Sequence, residues 1–145
     1  MTNLKICQIV PNIYNEASGP SYSVPSLTLA IKNLNHDIVL LTLDKNKNVP
    51  DWPIKIIKHK PNFFFHKIGW STEANCWFKK NAKKFEIFHS NGLWMFPNVT
   101  PLKIAKKYQK KCVLSPRGTL NIEALKYSKI KKFFFYNLFQ KNILK

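Results

Sequence analysis

Apolar positions along the chain follow two alternating rhythms. "LKICQIV", residues 4 to 10, is a nearly continuous apolar run halted by Pro11, the pattern of a strand buried on both faces of a parallel sheet. After the loop "PNIYNEASGP", Val24, Leu27, Ile31 and Leu34 recur at helical spacing, which predicts a helix with Ser23 as N-cap and Pro25 in the first turn. "DIVLLTL" (37 to 43) and "IKIIKH" (54 to 59) predict two more buried strands. Trp70, Ala74, Trp77, Phe78 and Phe85 mark one face of a second helix, whose other side carries Lys79, Lys80, Lys83 and Lys84. "FEIFH" (85 to 89) predicts a short strand. Asn98 is the expected cap of the next helix, with Pro101 in its first turn and Val99, Leu102, Ala105 and Tyr108 as its buried stripe. "KCVLS" (111 to 115) predicts a further strand. A helical stretch through Ala124 and Leu125 follows, then the amphipathic run "KIKKFFFYNLFQKNILK".

Strands alternating with helices predict an α/β fold, a Rossmann-like, mostly parallel sheet with right-handed crossovers. At 145 residues one domain is expected, spanning 1–145. Ligands of open parallel sheets bind beyond the carboxyl ends of the strands. Three turns at those ends concentrate specialised residues: "PNIYNEASGP", "HSNGLWMFPN" and "SPRG". They are expected to line one edge of the sheet.

Composition changes this picture in two ways. Apolar runs are too short to span a bilayer, which needs about 20 residues, and the N-terminus lacks the basic region and cleavage site of a signal peptide. A cytoplasmic location is the expectation. Cys7, Cys76 and Cys112 show no metal or disulfide spacing, and Cys7 and Cys112 fall in strand-like runs, so buried reduced thiols are expected. The formal charge of +17 invites a nucleic-acid reading. Yet 23 of the 24 basic residues are lysine, a bias that an AT-rich coding sequence also produces. The lone arginine, Arg117, stands out, because its planar fork does what lysine cannot.

Each candidate site residue carries two readings. Gly19 can adopt backbone angles closed to other residues and precedes a helix N-terminus suited to phosphate, but Gly-Pro also marks ordinary turns. His89 can donate to a sugar hydroxyl or act as acid or base, or it can be a structural histidine. Asn91 matches a polyol in donor and acceptor, though Asn-Gly is a common turn dipeptide. Trp94 can stack on a sugar or sit in the core. Arg117, before Gly118, is placed to grip a phosphate or carboxylate. No carboxylate pair, hydrolase triad, H-E-x-x-H or D-x-D motif points to other chemistry.

Together, "KICQIVPNIYNEASGPSYSVPSLTLAIKNLNHDIVLLTLD", "IFHSNGLWMFPN" and "VLSPRGTLNIEALKYSKIKKFFFY" resemble the N-terminal half of the family four glycosyltransferases. These are retaining enzymes of the GT-B fold, and the resemblance runs from Lys5 to about Lys145. It implies an acceptor-side Rossmann-like domain, with most of the nucleotide-sugar site supplied by a C-terminal domain. Carried over, Gly19, Pro20 and Ser21 fall in the loop approaching the donor phosphates. His89 and Asn91 occupy two tentative catalytic positions of a His-x-His motif, with Asn91 departing from the usual second histidine. Arg117, Gly118 and Trp94 fall on the acceptor side. The implied co-substrate is a nucleotide sugar, with no metal, and the implied acceptor is a glycan or a lipid-linked acceptor.

Since the resemblance stops before the donor domain, the 145-residue chain is expected to be incomplete at its C-terminal end and inactive alone: a truncated gene, a fragment, or half of a split enzyme completed by a separate chain. Peripheral contact with an anionic inner membrane leaflet, through the basic helices, is a further expectation. Two other function classes remain open: a non-catalytic sugar- or phospholipid-binding module, and a lysine-driven nucleic-acid binder.

Overall fold

A computed structural model describes residues 3–14, 19–45 and 47–143. Five strands, β1 (Lys5–Ile9), β2 (Asp37–Thr42), β3 (Lys55–Lys58), β4 (Ile87–Asn91) and β5 (Lys111–Ser115), form one sheet in the order β3-β2-β1-β4-β5. Every pairing is parallel. The expected Rossmann-like α/β architecture is therefore present. Strand order grows outward from β1 to β3, then reverses to β4 and β5, so a topological switch point lies between β1 and β4.

Helix α1 (Gly19–Asn33) links β1 to β2 and covers one face, where Val10, Ile13, Val24 and Leu40 pack together. Helices α2 (Thr72–Asn81) and α3 (Phe96–Lys107) cover the other. There Cys7, Ile9, Leu41 and Phe88 meet Phe78, Phe85 and Ala105. Phe88 sits against Phe85 and Phe78 at ring-centroid distances of 5.8 and 6.3 Å. Each such ring contributes roughly 1.5–3 kcal/mol by leaving water.

Several boundaries differ from the sequence reading. Helix α1 begins at Gly19, so Ser23 is not its cap and Pro25 lies past the first turn; Ser21, Val24, Pro25 and Thr28 are its buried residues, while Leu34 is exposed. The loop segment 15–18 lies outside the described residues. Thr28 donates to the Gln8 side-chain oxygen at 2.6 Å, a buried polar contact that apolar periodicity does not register. Helix α2 is shorter than expected, because the Ser71 hydroxyl caps it by accepting from Ala74 N at 3.1 Å, leaving Trp70 outside.

Strand β4 runs two residues beyond His89, so Ser90 and Asn91 are ladder residues rather than turn residues. Met95 flanks the start of α3 and Pro97 fills its first turn, displacing Asn98 from the capping role. Cys112 is exposed, contrary to expectation, since β5 lies at the end of the strand order; Cys76 on α2 is exposed too. The helical stretch through Ala124 and Leu125 is α4 (Ile122–Lys126), and the final run divides into α5 (Lys129–Phe135) and a π-helical turn, Tyr136–Gln140. A 3-10 helix over Phe63–Ile68, absent from the sequence reading, precedes α2.

Candidate functional site

The carboxyl ends of β1, β4 and β5 are neighbours, and the turns that follow them enclose an open cleft of about 180 Å³ at the switch point. Pro11 and Asn12 come from the first turn, Gly92 from the second with Asn91 at the end of β4 before it, and Arg117 and Thr119 from the third, with Pro20 from the start of α1. Three stretches separated in sequence thus converge on one crevice.

Asn91 is the joint between them. Its side-chain nitrogen donates to Ile9 O at 3.1 Å, across from β4 to β1, and its side-chain oxygen accepts from Arg117 Nε at 2.9 Å. Asn91 is buried, and Asn98 holds it from behind, donating to Asn91 O at 2.8 Å and to the Ser90 hydroxyl at 3.2 Å. With Nε committed to Asn91, the terminal guanidinium nitrogens of Arg117 remain for a ligand. Arg117 adopts a left-handed backbone conformation, φ 52°, followed by Gly118 at φ 78°, so the "PRG" turn is a tight reversal. Gly92, at φ 100°, supplies the conformation that lets the chain leave β4 sharply, and its N–H donates to Ser115 O at 2.8 Å.

His89 lies one sheet position below Asn91, half-buried, with Nε2 2.8 Å from the Ser115 hydroxyl. Burial, aided by the Arg117 charge, lowers its pKa and so favours the neutral ring. It stands behind the cleft wall rather than on it. Trp94 also stays off the wall: its indole N–H donates to Thr119 O at 3.3 Å, and Lys132 Nζ lies 5.9 Å above its ring. The tryptophan therefore ties the third turn to the start of α3. Gly118 is exposed at the outer side.

Gly19 corrects the sequence argument for it. Its φ is not in the left-handed region, and a Cβ there would meet nothing within 4 Å. Pro20, next in the first turn, has no N–H, so fewer donors face the crevice than a typical helix start offers. Ser21 is buried with no hydrogen-bond partner for its hydroxyl among the described residues.

Asp44, missed by sequence reading, lies off the crevice wall but holds one of its turns: its carboxylate accepts from Ile13 N at 2.7 Å and anchors the β1 turn to the end of β2. Burial raises its pKa. Only its position directly after an apolar strand hinted at this. A second cluster lies beyond β3, where buried His59 faces Glu73 at 3.6 Å and Lys45 pairs with Glu73 at 2.6 Å. The Lys45 ammonium and the Lys60 N–H lower the Glu73 pKa to about 2, while burial lowers that of His59. Among the described residues no group of three or more histidines, cysteines or carboxylates could hold a metal ion.

Comparison of the chain with protein-family models, curated proteins and solved structures finds no match. Fold and site together define a Rossmann-like parallel α/β protein with a crevice at its switch point. No helix among the described residues is long and apolar enough to cross a membrane.

Proposed function

We propose that the chain is the acceptor-side Rossmann-like domain of a retaining glycosyltransferase, transferring a sugar from a nucleotide sugar to a glycan or lipid-linked acceptor without a metal. The observation that carries this reading is the Asn91–Arg117 pair at the mouth of the switch-point crevice, beside the α1 N-terminus. The motifs that resemble family four glycosyltransferases meet there. A buried amide that positions a guanidinium suits recognition of phosphate or carboxylate, and neighbouring amide and carbonyl groups suit sugar hydroxyls.

In this reading Arg117 grips an anionic group of substrate, Asn91 orients it, and neutral His89 accepts or relays a proton through Ser115. The donor-binding wall comes from a second Rossmann-like domain, in the same polypeptide or a partner chain, so the chain alone is expected to bind substrate without turning it over.

The test is amide and guanidinium NMR of the isotope-labelled chain, titrated separately with UDP-glucose, maltotriose and a short polyprenyl phosphate. Shifts at Asn91, Gly92, Arg117 and Thr119 with at least one of them support the assignment. Silence at these positions with all three probes overturns it.

A further inference from the structure

A second surface, apart from the crevice, combines exposed aromatic side chains with lysines. Phe96 joins two distant segments: its ring lies 4.8 Å from Trp70, 5.4 Å from Phe135 and 4.9 Å from Phe139. Between the 3-10 helix and the terminal helix runs an apolar groove of about 440 Å³, lined by Phe65, Ile68, Trp70, Phe96 and Phe139. The stretches 63–68 and 129–140 are thereby neighbours on the molecule.

Outside this hub, both segments turn large apolar groups to solvent. Phe63 and Phe64 are 82% and 88% exposed. Along the terminal helix Phe135 is buried and Phe139 half-buried, whereas Ile130, Phe133, Phe134 and Leu138, at i, i+3, i+4 and i+8, are exposed. That spacing puts an apolar stripe on the outer side of a helix whose inner stripe is already packed.

The charges nearby are mostly positive, Glu73, which accepts from Lys60 N at 3.1 Å, being the acidic neighbour of the 63–68 side. Lys60 and Lys67 flank the 3-10 helix, and Lys126, Lys129, Lys131 and Lys141 accompany the terminal helices; all are exposed, and Glu123 is the one acidic residue between positions 120 and 143. An isolated helix face of phenylalanine, isoleucine and leucine beside lysines is the pattern of an interfacial element, whose rings enter the acyl boundary while ammonium groups meet lipid phosphates. Unpaired positive charge selects an anionic surface over a neutral one.

We propose that the 3-10 helix at 63–68 and the outer face of the helix at 129–140 dock together on an anionic phospholipid bilayer. This inference does not depend on the sugar-transfer reading, because none of its residues lines the crevice.

Vesicle co-sedimentation tests it, using phosphatidylcholine alone and phosphatidylcholine with phosphatidylglycerol, at low and physiological salt. The variants are F63S/F64S, I130S/F133S and K129E/K131E, all at exposed positions, with thermal melts checking that each folds like the parent. Expected is partition to the phosphatidylglycerol vesicles only, falling with salt, and weakened roughly tenfold or more by each pair of substitutions. Absence of partition overturns the proposal. So does partition indifferent to the aromatic substitutions. So would the finding that those substitutions abolish self-association or RNA binding while vesicle binding is absent.

Discussion

Arg117 Nε donates to the Asn91 side-chain oxygen at 2.9 Å, while the same asparagine reaches Ile9 O through its nitrogen. One buried amide therefore couples the ends of β1, β4 and the turn after β5. Replacing Asn91 with leucine removes both contacts and leaves the Ile9 carbonyl without that partner. A loss of about 1–3 kcal/mol is expected in urea unfolding. Arg117→Lys keeps charge but not the fork; it is expected to leave stability within about 1 kcal/mol and to weaken binding of an anionic crevice ligand roughly tenfold or more, read by titration calorimetry. Wild-type affinity in the lysine variant would remove Arg117 from the binding role.

Two glycines should respond oppositely to alanine. Gly92 holds φ 100°, where a side chain is strained although its Cβ would find Asn98 at an ordinary 3.6 Å. Gly92→Ala is expected to cost about 1–3 kcal/mol. At Gly19 the backbone is unstrained and the space open, so Gly19→Ala is expected to be neutral or stabilising by up to about 1 kcal/mol. Equal destabilisation of both in paired thermal melts would contradict these backbone assignments.

Histidine burial sets a pH dependence. His89 and His59 both have folded-state pKa values below the ordinary 6.5, chiefly through burial. Below 6.5 the unfolded chain takes up protons that the folded chain refuses, so stability falls as pH drops from 6.5 toward the folded-state values and levels off beneath them. Chemical unfolding across this range should show the decline. His89→Gln and His59→Gln should each flatten part of it, and an unchanged slope in both variants would assign the effect elsewhere.

Thiol chemistry separates the three cysteines. Cys7 is fully buried and its pKa is pushed up, whereas Cys76 and Cys112 are exposed. Ellman's reagent should titrate two thiols in the native protein, Cys112 slowly because partial burial raises its pKa, and the third only in denaturant. Three native thiols reacting together would mean that the β1 core opens.

Legibility in the sequence tracked the physics of each element. Strands β1 and β2 were readable because a strand buried on both faces shows a near-continuous apolar run, and β3 because Ile56 and Ile57 are β-branched. Cys112 misled for the same reason: periodicity reports apolarity, not whether a neighbouring strand or helix covers it. Asn98 looked like a cap since asparagine caps are common, yet its amide is used across the chain on Asn91 and Ser90. Ser23 failed as a cap because the start of α1 is drawn back to Gly19, beside the crevice.

By itself the sequence determined the alternation of strand and helix, the parallel sheet and the three turns worth watching, because these follow from local apolar periodicity and turn chemistry. Only the tertiary structure decided that Asn91 is a ladder residue that fixes Arg117, that His89 sits behind Ser115, and that the phenylalanines at 63–64 and 133–134 face solvent on neighbouring segments. Hydrogen bonds such as Asn91 to Arg117, 26 residues apart, and Asn91 to Ile9, 82 apart, exist only once strand order brings the elements together.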